Sequence, residues 1–384
     1  MNRRIRAEWL AVACALLAVS CAGDAPVRPE PERMSNPEPV PPIAAVRPRV
    51  VDSPNGRRTD EYYWLRDDTR TDPEVLAYLE AENAYKEAMT AHAQALEDKV
   101  YGEIVARIKQ DDSTVPYRLR GHWYYTRFET GQEYPVYARK AGTLEAPEQV
   151  MLDVNAMAEG RGFFQVGAMA VSPDNRLLAW VEDPVGRRQY TLRFKDLDTG
   201  NVLPDALPNV DPYLAWTADS RSVLYIEKHP ETLLGFRVRR HVLGTDHAQD
   251  AVLFEQEDES FYMGLEKSKS DRFVYIVSQS TVSSEYRYAD ANDPRLEFRI
   301  ALPRERDHEY QLEDIGDRFV IRTNWQAKNF RIVEVPIAKV GDRTQWRDVV
   351  PHRADAFVSG FETFASYLAV GERSGGLRKI RVKS

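Results

Sequence analysis

Peptide-bond or ester chemistry needs a nucleophile, and the nearest candidate string in this 384-residue chain is Gly371-Glu372-Arg373-Ser374-Gly375-Gly376. A nucleophile elbow requires G-x-S-x-G on a strand–turn–helix, so that the serine hydroxyl stands at a sharp turn beside a backbone N–H. Here the spacing is off by one residue, and Leu377 to Ser384 is too short for the helix. The string reads as a hairpin turn. The seven histidines, His92, His122, His229, His241, His247, His308 and His352, fall in no H-E-x-x-H or Cys/His ligand pattern. A phosphate-cradling P-loop and a glycine-rich dinucleotide fingerprint are both missing. The carboxylate run Glu255, Glu257, Asp258 and Glu259 reads as a solvated loop. "DLDTGNVL", Asp196 to Leu203, has a superficial likeness to a calcium loop but the composition of a hairpin turn. Composition and spacing therefore offer no catalytic, cofactor-binding or metal-binding residue, and no cofactor is expected.

The bulk composition points the same way. Hydrophobic residues make up 43% and charged residues 29%, enough for a large core under a soluble surface. A net charge of -8 argues against a nucleic-acid binder, and Arg237, Arg239 and Arg240 read as solvated strand faces. The two cysteines, Cys14 and Cys21, both precede the folded part, so no disulfide framework is expected there.

Residues 1–21 read as an export signal. Arg3, Arg4 and Arg6 precede an apolar run from Trp9 to Val19 that is too short to span a bilayer. Leu17-Ala18-Val19-Ser20-Cys21 is similar to a bacterial lipobox with its leucine one place early, making Cys21 the candidate for acylation. Plain signal cleavage and an uncleaved start are the alternatives. Residues 22–48 carry eight prolines and read as an extended, disordered linker. The expected location is the periplasm of a bacterium, with attachment to the membrane only through a lipid on Cys21.

The elements that could position any site come next. Residues 49–115 read as a helical segment, with helices over 72–92 and 93–109. Thr71 and Glu74 suggest a capping box, and Leu96, Val100, Ile104 and Ile108 form an apolar stripe. The aromatic stretch Tyr62, Tyr63, Trp64 and Leu65 should pack on something large. From 116 to 384 the period becomes two. Polar turns such as Ser172-Pro173-Asp174-Asn175-Arg176 lead into apolar runs centred near 124, 178, 224, 274, 320 and 368. Steps of 46 to 54 residues between those centres leave room for four short strands each, the signature of a β-propeller. The fold class is mainly β: a propeller with about six blades visible, the last one unfinished, preceded by helices.

Several long segments then add a resemblance. "DEYYWLRDDTRTDPEVLAYLEAENAYKEAM", "EIVARIKQDDSTVPYRLRGHWYYTRFETGQEYPVYAR" and "TLLGFRVRRHVLGTD" resemble oligopeptidase B, in the prolyl oligopeptidase family of serine peptidases. The likeness runs from about residue 45 to the end. It implies a seven-bladed propeller, here truncated, capping an α/β-hydrolase domain that packs on the N-terminal helices. It implies hydrolysis of short basic peptides after Arg or Lys by a Ser, Asp and His of that domain. No catalytic residue transfers to this sequence, and the chain alone is expected to be inactive. Three readings stand: a fragment of a longer peptidase, a partner of a separately encoded catalytic chain, or a standalone propeller lipoprotein that binds peptides or proteins. Without the hydrolase domain the helices would expose apolar surface and favour association.

Overall fold

The structure, a computed structural model, describes residues 39–384. These form two compact units that divide after Ile108. In the first unit, strands β1 (Arg49–Ser53) and β2 (Gly56–Asp60) pair as a hairpin, an element that the helical reading of residues 49–115 missed. Helices α1 (Pro73–Thr90) and α2 (Gln94–Arg107) follow, joined by a 3-10 turn at Ala91–Ala93. The cap of α1 differs from the expected capping box. Asp72, not Thr71, accepts hydrogen bonds from the N–H groups of Glu74 and Val75, with Pro73 as the first helical residue. Glu74 is thereby freed to pair with Arg47. A carboxylate at the N-cap also meets the positive end of the helix dipole, which a hydroxyl does less well. Trp64 packs edge-on against Tyr78 of α1, and Arg47 lies 4.6 Å over its ring. The stripe of α2 remains exposed, with Leu96 at 64% and Ile108 at 58%.

The second unit, from Lys109 onward, is an array of five antiparallel sheets that form six blades, numbered 1 to 6 in chain order. Their second strands are His122–Phe128, Leu177–Asp183, Ser222–Lys228, Phe273–Gln279, Arg318–Thr323 and Leu368–Ser374. Each contains one of the six apolar centres read from the sequence. Blades 2 and 3 are fused. The long strand Val202–Trp216 pairs through Leu207 with the third strand of blade 2 and through Leu214 to Trp216 with the second strand of blade 3. One continuous seven-stranded sheet results. Blade 6 has three strands among the described residues.

The second strands show why their sequences are apolar on both faces. In blade 4, Phe273, Tyr275 and Val277 pack against Tyr310, Phe319 and Ile321 of blade 5, while Val274 and Ile276 pack against Leu224 and Ile226 of blade 3. In blade 2, Leu178 and Trp180 meet Tyr124 and Met151 of blade 1, and Ala179 and Val181 meet Val223 and Tyr225 of blade 3. Successive side chains point to opposite faces, and each face is covered by a different neighbour. The core thus lies between blades, and each fully buried aliphatic or aromatic side chain contributes about 1.5–3 kcal/mol.

The turns feeding these strands repeat one hydrogen-bond scheme. Ser172, Thr217 and Ser268 each accept, through the side-chain oxygen, the N–H five residues on. Asp174, Asp219 and Ser270 accept the N–H two residues on. The residue between, Asn175, Ser220 or Asp271, has φ near 60°, a left-handed conformation that Asn and Asp tolerate better than most residues. The hairpin at Asp196 to Gly200 is a turn as read: the Asp196 carboxylate accepts from the N–H groups of Asp198 and Thr199, and Gly200 has φ 77°.

Blades also join through polar contacts near their inner strands. The Trp216 indole donates to Ala170 O at 2.9 Å, and Ser270 Oγ donates to Asp314 Oδ2 at 2.8 Å. Glu313, next to Asp314, accepts from its own neighbour's N–H at 2.9 Å and from Lys269 N at 3.3 Å. Burial outweighs these bonds, and Asp314 adds like charge, so the Glu313 carboxyl is pushed up to about 7.

Two outcomes follow. Leu224→Ala should cost about 2–5 kcal/mol in urea unfolding, because a fully buried side chain shared by two blades leaves a cavity. Glu313 keeps a proton in the folded chain over a pH range where the unfolded chain has lost it. Stability should therefore fall as pH rises from about 4.5 through about 7. Glu313→Gln should remove that part of the fall. Its melting temperature should match the parent near pH 4 and exceed it increasingly toward pH 8; equal pH profiles would refute the assignment.

Candidate functional site

The sequence-level candidates do not assemble into a catalytic group. Ser374 ends the second strand of blade 6, and the turn that follows carries Gly375 and Gly376 at φ 57° and 77°. That is the hairpin read from the sequence, and no helix begins there. Cys21 lies outside the described residues. Of the carboxylate run, Glu255 ends the strand Ala251–Glu255 and pairs with Arg237, while Glu257, Asp258 and Glu259 lie in the loop beyond, where Asp258 accepts from Ser260. Among the described residues, no group of three or more His, Cys, Asp or Glu side chains is arranged to hold a metal ion.

Two histidines are buried, which spacing did not reveal. His241 sits between two carboxylates, with Nε2 3.0 Å from Asp205 Oδ1 and Nδ1 3.0 Å from Asp250 Oδ1. The Tyr225 hydroxyl donates to Asp250 Oδ2 at 2.9 Å. Burial and that carboxylate push the hydroxyl's pKa upward. This arrangement has the composition of a catalytic relay, yet His241 is 1% exposed and cannot meet a substrate. It ties the third strand of blade 3, which carries His241, to Asp205 in the blade 2 part of the shared strand and to Asp250 just before the fourth strand of blade 3. His308 bonds Thr323 Oγ1 at 2.9 Å, and Arg343 donates to its Nδ1 at 3.3 Å. Burial first, and then the Arg343 charge, lower it to about 4, so it is neutral at ordinary pH. The three arginines read as solvated are only partly so. Arg239 is 19% exposed in its side chain and donates to Asp250 O within blade 3, and Arg240 donates to Pro294 O of blade 4.

What the fold does assemble is the inner rim of the propeller. At one end of the inner strands, the turns into the second strands converge. Arg120 of blade 1 reaches Asp271 of blade 4 with Nε at 2.7 Å from Oδ2, and with Nη2 on Oδ1. Its Nη1 donates to Val171 O of blade 2 at 3.2 Å. Lys267 Nζ is 3.4 Å from the same aspartate, and Lys269 donates to Glu362 of blade 6 at 3.0 Å. Burial alone would raise the Asp271 carboxyl, but Arg120 and Lys267 hold it below its ordinary value; burial lowers Lys267. Against this charged rim lies a cavity of about 300 Å³ with apolar walls from Met151, Met169, Leu214 and Trp216. A second cavity, of about 530 Å³, is lined by Asp211, Tyr213, Tyr262 and Lys228. The sequence held a signal for the rim: Arg120 and Asp271 occupy equivalent turns of the repeat, and equivalent turns meet at one end of a propeller.

Known proteins share this fold. A family model described as the prolyl oligopeptidase N-terminal β-propeller domain matches residues 41–384. The chain is 52% identical to dipeptidyl aminopeptidase BI of Pseudoxanthomonas mexicana over 89% of its own length and 49% of that protein's. It is 30% identical to protease 2 of Moraxella lacunata, over 89% and 50%. Oligopeptidase B from Leishmania major superposes with a TM-score of 0.82 at 30% identity, covering 90% of this chain and 51% of that one. The chain thus spans about half the length of the relatives it matches. With this match across nearly all its described residues, the chain belongs to the prolyl oligopeptidase family, as the family's N-terminal β-propeller domain.

Proposed function

We propose that this chain is the substrate-gating part of a serine peptidase of the oligopeptidase B type, one that hydrolyses short peptides after Arg or Lys. The observation that carries the proposal is the half-length match to peptidases, with a propeller that offers cavities but, among the described residues, no assembled catalytic group. The nucleophile, its base and the oxyanion donors have to converge within hydrogen-bond reach. They would come from an α/β-hydrolase domain, on the same polypeptide or on a separate one. The exposed stripe of α2, Leu96, Val100, Ile104 and Ile108, is the kind of surface such a domain would cover. The propeller would then hold back polypeptides too bulky to reach the catalytic centre. The Arg3, Arg4, Arg6 and Cys21 signal favours export and lipid attachment in the periplasm.

A second reading, removal of dipeptides from a free N-terminus, is favoured by the 52% identity to a protein named dipeptidyl aminopeptidase BI. Which of the two applies depends on whether a free amine is required.

The test joins this chain to the catalytic half of the Pseudoxanthomonas mexicana relative and assays fluorogenic substrates. The chain alone should show no turnover and no labelling by a serine-reactive fluorophosphonate. The chimera should be labelled and should cleave an N-blocked Arg-coumarin substrate, but not a folded protein. Cleavage only of substrates with a free amine would select the dipeptide reading. Turnover and labelling by the chain alone would overturn the proposal, as would a folded chimera that digests long and short substrates alike.

A further inference from the structure

We propose that the cavity of about 530 Å³ lined by Asp211, Tyr213, Tyr262 and Lys228 binds a primary ammonium group, with Asp211 as its counter-ion. The inference rests on the peptide reading only for the source of that group, a peptide N-terminus or a lysine side chain. The site itself needs no catalytic centre. Its position follows from the strand that blades 2 and 3 share. The register of that strand slips between Val210 and Leu214, where it passes from one blade to the next. Asp211, Pro212 and Tyr213 fall in the break, and all three line the cavity. A regular strand would send alternate residues to opposite faces, whereas an irregularity re-aims them. Two glycines make the room. A Cβ on Gly167 would stand 2.6 Å from Tyr190 Cε1 and 3.0 Å from Pro212 Cβ, and one on Gly235 would stand 3.0 Å from Asp211 Oδ2. Arg188 and Leu233, also in the lining, have φ of 55° and 59°. For a leucine that is an outlier, and such strain concentrates at binding sites.

The charges in the cavity are incompletely matched. Lys228 Nζ donates to Arg188 O at 2.9 Å and stays 3.9 Å from Asp211 Oδ1, too far for a hydrogen bond. The lysine is held by a carbonyl and the carboxylate is left short of positive charge. Burial raises the Asp211 pKa, and Lys228 offsets only part of the rise. The Asp211 side chain keeps 20% of its exposure and Lys228 only 8%, so an entering cation meets the aspartate before the lysine. Tyr213 and Tyr262 are exposed, and their ring faces attract an ammonium. The carboxylate favours ammonium over guanidinium. Oδ1 is turned to Lys228 and Oδ2 lies against Gly235. A planar fork that engages both oxygens is crowded at each, whereas a compact ammonium needs only one of them.

The experiment titrates the full chain with small amides and reads the dissociation constant by saturation-transfer NMR. Alanyl-alanine amide carries an N-terminal ammonium, N-acetyl-lysine amide a side-chain ammonium, N-acetyl-arginine amide a guanidinium, and N-acetyl-alanyl-alanine amide no charge. At least one ammonium probe should bind, and the guanidinium and uncharged probes should bind more weakly than it does. Which ammonium probe binds more tightly identifies the source. Asp211→Asn should weaken that binding about tenfold or more, the scale of a lost charge-assisted bond. Tyr262→Ala should weaken it about threefold. Lys228→Met removes a competing cation and should tighten it. Matching melts by circular dichroism separate a lost site from a lost fold, and Tyr262→Ala, on an exposed side chain, keeps the test running where a buried variant fails to fold. Binding of neither ammonium probe overturns the site, as does affinity that Asp211→Asn leaves unchanged. Weaker binding in folded Lys228→Met would mean that the cavity takes an anion, and overturns it too. Hydrolysis is not part of this readout. An inactive chimera with Asp211-dependent binding would sink only the peptidase reading, and an active chimera without such binding would sink only the ammonium site.

Discussion

Face-to-face packing of each blade on two neighbours is the constraint from which the rest of the second unit follows. A four-stranded antiparallel sheet with both faces apolar cannot stand alone in water. Covering one face with the previous blade and the other with the next satisfies it, and the arrangement propagates around an axis. The alternation in Phe273 to Val277 is that constraint written in one strand: odd positions serve blade 5 and even positions blade 3. The polar turns are its complement. Once the second strand is fixed between two neighbours, the chain has to reverse tightly at the rim. The Ser/Thr and Asp/Ser oxygens at fixed offsets hold that reversal by accepting N–H groups that no strand can reach.

This division of labour explains how much of the molecule was legible. The blades could be read because both signals are local: an apolar run at period two and a polar turn five residues long. The two helices were readable from their stripe, but the cap was assigned to Thr71 where Asp72 acts, since hydroxyl and carboxylate both fit the pattern and only geometry separates them. The β1–β2 hairpin was missed because RVVDS and GRRTD are short, charged and largely exposed, with no apolar alternation to mark them.

The site was less legible, for a physical reason. His241 meets Asp205 from 36 residues away, and the rim pair is 151 residues apart, in blades 1 and 4. Contacts of such high sequence separation leave no spacing signature in one sequence. The repeat register carries partial information, since residues at equivalent turns share an end of the channel. It does not say which of them touch across the axis. Arg237, Arg239 and Arg240 show the converse error. They read as solvated strand faces, but Arg239 and Arg240 are drawn into hydrogen bonds with the carbonyls of Asp250 and Pro294.

The strand Val202–Trp216 has a mechanical consequence. Blades 2 and 3 share it, and backbone hydrogen bonds run without interruption from Ala251 at one edge to Val171 at the other. The other adjacent blades meet chiefly through side chains. Sliding side-chain interfaces are softer than a hydrogen-bonded ladder, which has to break bonds to part. The seams at 1/2, 3/4, 4/5 and 5/6 are therefore expected to be the softer joints, while blades 2 and 3 form one hydrogen-bonded plate. The cavity that holds Asp211, Tyr213 and Lys228 together with Tyr262 straddles the 3/4 seam at the edge of that plate. Its width should therefore respond to any shift at that seam, while its walls from blades 2 and 3 stay fixed relative to each other.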